Sequence, residues 1–220
     1  MSVEGVFGNE RYPTAAPSQG ATLFGSTMEM VALTAGCFAL GAFLGHDVSP
    51  GWGLVFYVVS LCLLIGMRSA VRRSTGSTVV LLLGFGLTLG VATGPTVAYY
   101  TGTDPAAVWQ AAGATALFMA GLGMAGYATR RDLTVLTRAA LWALVGLIVF
   151  GVIATFVRIP GSSLTYSIVG LAIFAVLVLG DFQRLRRVSD VESAPLMAAS
   201  IFLDALNIFL FFLNLFQRRD

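Results

Sequence analysis

Residues 162–187, SSLTYSIVGLAIFAVLVLGDFQRLRR, and 194–216, APLMAASIFLDALNIFLFFLNLF, decide the fold. Each run has the ~20 mostly apolar residues that a helix needs to cross the hydrocarbon core of a bilayer. Each also carries one aspartate, Asp181 near the end of the first and Asp204 near the middle of the second. A carboxylate at bilayer depth costs at least ~2.5 kcal/mol unless it faces a cavity or a partner. Two of them on successive helices mark a functional site, and the rest of the chain is read as its housing.

Composition agrees with a membrane setting. The 220 residues are 57% hydrophobic and 11% charged, whereas soluble domains carry about 25% charged residues. So few charges cannot cover a water-facing surface, so the chain is expected to be an all-α integral membrane protein. A net charge of +2, dispersed along the chain, gives no basis for nucleic-acid binding. All thirteen basic residues are arginine, and the absence of lysine excludes a Schiff-base cofactor such as retinal. Cys37 and Cys62 lie in apolar runs and are expected to be buried as small hydrophobes.

Seven apolar stretches run approximately 27–46, 52–69, 77–100, 106–128, 134–157, 162–183 and 195–217. Short connections predict one bundle over residues 27–217. It is flanked by a disordered polar tail at 1–26, which lacks the pattern of a signal peptide, and a short tail at 218–220. If the N-terminus is cytoplasmic, Arg11, Arg68, Arg72, Arg73, Arg130, Arg131, Arg138, Arg184, Arg186 and Arg187 lie inside. Arg158, Arg218 and Arg219 then lie outside, and ten against three is a positive-inside bias. Seven spans place the C-terminus outside. The composition fits a plasma (inner) membrane.

Weaker signals have plainer readings. Gly121, Gly123 and Gly126 spell G-x-G-x-x-G, but they sit inside a span, where small residues serve close helix packing rather than phosphate binding. Gly84, Gly86 and Gly90, with Pro95 beyond, predict close packing and a kink. His46, the only histidine, stands beside Asp47 in a loop and is expected to be solvated. Glu29, at the start of the first span, reads as an interfacial anchor with an ion path as the alternative.

The aspartates fall on polar stripes. Ser200, Asp204, Asn207, Phe211 and Asn214 share one helical face, and Ser163, Ser167, Gly170, Phe174, Leu177 and Asp181 share another. Asp204 lies about nine residues into its span, roughly 13 Å from the interface, at a depth similar to that of Asp181. The faces are therefore expected to meet each other or to line a wet cavity, with the aspartates together. Two carboxylates in contact there cannot both ionise cheaply and would share a proton. Arg68 closes the second span on the same side, either as a counter-charge that pairs with the ionised aspartates or as a snorkelling interfacial residue.

At VLVLGDFQRLRR and IFLDALNIFLFFLNLF, and more loosely at GMRSAVRR, FGLTLG and RRDLTVL, the chain resembles the Bax inhibitor-1 family, also called the transmembrane Bax inhibitor motif family. The resemblance covers residues 27–217. It implies seven helices, six around a central C-terminal one, and a pH-sensitive calcium leak. Asp181 and Asp204 would be the proton sensor, and Arg68 the latch that holds the closed state. Ser200, Asn207 and Asn214 would support the polar face. Calcium would be a permeating ion held weakly and transiently by the two aspartates, with no cofactor. Tyr57 stands where a bacterial relative has an acidic residue, so the calcium route is expected to differ there.

Two other classes compete. An intramembrane aspartyl protease also pairs aspartates on neighbouring helices, but Val178 breaks the Gly-x-Gly-Asp pattern and Leu203 stands where tyrosine is expected. The chain is therefore read as no enzyme. A non-transporting regulatory scaffold is the second alternative. Calcium ions, protons and the lipid bilayer are the expected partners; the sequence does not set the oligomeric state, and a monomer is compatible with it.

Overall fold

The computed structural model describes residues 19–157, 162–188 and 191–217. Seven helices follow one another: α1 (Gln19–Leu44), α2 (Pro50–Ala70), α3 (Thr75–Thr103), α4 (Pro105–Ala128), α5 (Thr134–Phe156), α6 (Ser162–Arg187) and α7 (Ala194–Phe216). A short 3-10 turn, Val191–Ser193, leads into α7. All seven are long and apolar enough to cross a membrane, and no strand occurs among the described residues. Their outer faces carry large apolar side chains such as Trp109, Trp142 and Phe156, an arrangement stable only against lipid.

Local signals explain the helix ends. Pro50 and Pro105 stand at first-turn positions, where the missing N–H removes no helical bond. Asp104 caps α4 by accepting from the Ala107 N–H at 3.0 Å. At its other end α6 carries Arg184, Arg186 and Arg187, cations that complement the helix dipole.

Two boundaries differ from the apolar runs. The N-terminal tail expected to extend to residue 26 gives way to helix at Gln19, because Leu23 and Thr27 are fully buried against the bundle. In α6 the helix continues to Arg187 beyond the apolar stretch. Residues 1–18 and 218–220, with Arg11, Arg158, Arg218 and Arg219, lie outside the described residues. The cysteines also depart from expectation: Cys62 is exposed and Cys37 only half-buried.

Helix α7 is the axis. In its membrane window 56% of residues are buried, against at most 39% in any other helix. It packs against α1, α2, α3, α4 and α6, while α5 packs chiefly on α6. Helices α1 and α3 form a close glycine seam. A Cβ at Gly90 would strike the Phe38 carbonyl, and one at Gly86 would lie 2.7 Å from the Thr34 carbonyl oxygen. Gly41, Gly45 and Gly94 extend the seam, whereas Gly84 makes only ordinary contact with Leu63. Pro95 sits inside α3 and removes the donor for the Val91 carbonyl; Gly45 packs directly on that carbonyl. In α4, Gly123 and Gly126 meet Phe182 and Leu179 of α6, so the G-x-G-x-x-G segment is a packing face, although Gly121 meets nothing.

Candidate functional site

The polar stripes of α6 and α7 do face each other. They bound a cavity of about 660 Å³ that opens between them and the first half of α5, with Arg68 of α2 at its edge. Asp181, Asp204, Ser200 and Asn207 all line it. Asp204, one turn before Asn207 on the most enclosed helix, is only 5% exposed. Asp181 has Ser200 as its side-chain hydrogen-bond partner, feels the charge of Arg184, and is close enough to Asp204 for the two carboxylates to repel when both are ionised. Oδ2 of Asp181 and Oδ2 of Asp204 are both buried without a hydrogen-bond partner. Such atoms are costly in a low-dielectric interior. Asp181 also lines a second pocket of about 50 Å³ with Arg184, Ser193 and Ser200, on the side of the arginine-rich end.

The remaining candidates separate. Arg68 is exposed, lines the same cavity as the aspartates, and is in no ion pair with either. Asn207 donates to the Leu203 carbonyl at 2.7 Å. Asn214 belongs to a different cavity of about 540 Å³ at the opposite end of α5, α6 and α7. There its Oδ1 accepts from Ser163 at 2.7 Å and from Ser167 at 3.2 Å. Glu29 is exposed on α1 and lines neither of these polar cavities, and Tyr57 lies exposed on α2. His46 is exposed as expected, with its ring bonded to the Phe43 carbonyl and paired with Asp47 at 2.8 Å.

Sequence reasoning missed Gln183. It is buried in the cavity wall, accepts from Leu133 N–H at 3.1 Å, and donates to the carbonyls of Arg131 at 2.6 Å and Thr129 at 3.3 Å. Arg186 adds a bond to the Thr129 carbonyl at 2.7 Å. The α4–α5 loop is thereby pinned over the arginine-rich end of α6. A lone glutamine between an aspartate and an arginine was the available signal, but its partners are backbone atoms some fifty residues away in sequence.

The family model described as "Inhibitor of apoptosis-promoting Bax1" matches residues 21–220, nearly the whole chain. The chain belongs to the Bax inhibitor-1 family. Relatives are spread across bacteria. A Deinococcus radiodurans protein is 30% identical over 200 residues, 83% of this chain and 85% of its own. The YrjE protein of Lactococcus lactis is 28% identical over 170 residues, covering 74% and 71% of the two chains. A Streptococcus pyogenes protein named only as a membrane protein is 27% identical over 177 residues, 76% of each chain. For this Bax inhibitor-1 family member, then, the multi-pass membrane fold and the family rest on sequence matches as well as geometry.

Proposed function

We propose that this chain is a pH-sensitive calcium leak of the plasma (inner) membrane, with its N-terminus inside and its C-terminus outside, and that it is a transporter rather than an enzyme. One observation carries the reading. Two aspartates on adjoining helices, each with a buried and partnerless Oδ2, share one cavity with Arg68. A proton held between the carboxylates would satisfy both atoms at once and leave the pair with a single negative charge. When that proton leaves, the second charge calls for a cation, and among the arginines of the cavity wall Arg68 comes from α2, outside the α5 and α6 segments that supply Arg138, Arg184 and Arg187. Arg68 on the ionised pair ties α2 to α6 and α7 and closes the path; protonation releases it. Arg68 free of either carboxylate is the released arrangement of such a latch.

Calcium is the substrate here, not a resident metal. Two carboxylates with the oxygens of Ser200 and Asn207 fall short of the roughly six to eight oxygens of a tight calcium site. No cluster of three or more His, Cys, Asp or Glu able to hold a metal occurs among the described residues. Weak binding suits a path that an ion must leave as readily as it enters.

The test is calcium influx into liposomes loaded with a calcium dye, as external pH is stepped from about 8 down to about 6. Wild type is expected to leak more as pH falls, and Asp181→Asn and Asp204→Asn to respond little to pH. Arg68→Ala is expected to raise the leak at the alkaline end about fivefold or more, the least that a coupling of ~1 kcal/mol gives. A wild type impermeable to calcium throughout that range would overturn the reading.

A further inference from the structure

The cavities of about 660 Å³ and about 540 Å³ are both walled by α5, α6 and α7, one beyond the other along the bundle, with Arg68 of α2 added to the first. Thr134–Leu144 of α5 line the first, and Ile148–Ala154 line the second. On α7 the first ends at Asn207 and the second holds Asn214, seven residues on, or about 10 Å at 1.5 Å per residue. The residue between them on that face is Phe211. It is 8% exposed, and Phe174 and Leu147, at 4% and 6%, belong to the same core cluster. Its ring centroid lies 5.6 Å from that of Tyr166 and 5.8 Å from that of Phe174. Opposite it on α6 is Gly170, where any Cβ would strike the Phe211 ring. The ring, as placed, occupies the space that a side chain at residue 170 would take.

We infer that Phe211, seated on Gly170, is the constriction that divides the ion path into two chambers, one containing Asp181 and Asp204 and one containing Asn214. The inference rests on the leak reading and adds where the path is shut. Both chambers offer polar side chains to water and ions, while the stretch between them is a close-packed aromatic and aliphatic plug. Such a plug stops ions by excluding water, without any charged gate. Because Phe211 lies one turn from Asn207 and two from Asp204 on the same face of α7, a shift of α7 against α6 when the aspartate pair changes charge would move the ring off Gly170.

The experiment combines two readouts in a background in which Cys37 and Cys62 are replaced by alanine. The first is calcium leak in liposomes. The second is reaction of Asn207→Cys with a small membrane-impermeant cationic thiosulfonate applied from the Asn214 side. With Phe211 intact the thiol is expected to be protected from that side. In Phe211→Ala the leak rises about tenfold or more at alkaline pH, and the thiol becomes reactive. If wild type leaks but Phe211→Ala changes neither readout, the constriction is overturned while the leak reading stands. If no variant passes calcium yet the thiol opens only in Phe211→Ala, the calcium reading fails and the constriction holds. If neither flux nor reactivity appears, the constriction fails too. Should Phe211→Ala not purify as a monodisperse protein, Phe174→Ala, which removes the ring packed beside Phe211, decides by the same readouts.

Discussion

Gln183 joins the cavity wall to the α4–α5 loop through three hydrogen bonds to backbone atoms. Gln183→Leu keeps the side chain's bulk but strands those groups, and should cost about 1–3 kcal/mol. Gln183→Glu keeps the acceptor for the Leu133 N–H and loses the donors, so thermal unfolding in detergent should rank wild type above Glu, and Glu above Leu. Asp132, in the same loop, accepts from the Thr134 N–H at 3.0 Å and the Thr134 hydroxyl at 2.6 Å. Those bonds first, and the nearby charge of Arg187 after them, hold its carboxyl below the usual carboxylate range. A carboxyl depressed by folding adds stability that is present above its unfolded value and is lost as pH falls through its folded value. The unfolding midpoints of wild type and Asp132→Asn should therefore differ slightly at neutral pH and converge below about pH 4. At this scale legibility was uneven. Asp181 and Asp204 stood out because charge inside an apolar run is rare, and the stripe around them could be counted off at helical spacing. The separation of Asn214 into its own cavity was not visible, since residues on one stripe look continuous until a bulky ring such as Phe211 interrupts them.

The helices were legible almost to their ends because the bilayer imposes a length, and proline, aspartate or arginine marks the turns. The exception was the start of α1, where a polar composition hid the burial of Leu23 and Thr27. Packing between elements was legible in kind but not in partner. The glycines of α3 announced a close approach, yet nothing in their spacing named α1 or its Gly41 and Gly45 as the other face. That seam gives a test with an internal control. At Gly90 a methyl group would meet the Phe38 backbone, which cannot turn aside as a flexible side chain can. Gly90→Ala should therefore cost about 1–3 kcal/mol through overpacking. At Gly113 of α4 nothing lies within 4 Å of a built Cβ. Gly113→Ala should be neutral or stabilise by up to about 1 kcal/mol through better helix propensity. Thermal unfolding of the two variants in one detergent decides, and equal losses in both would remove the seam from the list of stabilising contacts.

For the whole molecule, the connectivity gathers charge at one end. The end of α2, the α2–α3 and α4–α5 loops, the start of α5 and the end of α6 share that end, and between them hold Arg68, Arg72, Arg73, Arg130, Arg131, Arg138, Arg184, Arg186 and Arg187. At the opposite end the charged groups among the described residues are His46, Asp47 and Asp104, and none is an arginine. Insertion retains arginine-rich loops on the cytoplasmic side. The aspartate cavity, which includes Arg138, Arg184 and Arg187 in its wall, would then open toward the cytoplasm and the Asn214 cavity toward the outside. On the proposed leak reading, this orientation would decide which compartment's pH the aspartate pair answers to, because protons would reach it from the side its cavity opens to. In a cysteine-free background, Asp47→Cys should react with an impermeant maleimide in intact cells, whereas Arg73→Cys should react only after the membrane is permeabilised. The reverse pattern would invert the chain and make Asp181 and Asp204 sensors of the external medium. The same two positions therefore decide, before any flux is measured, whether a leak through this protein answers to the acidity of the cell or to that of its surroundings.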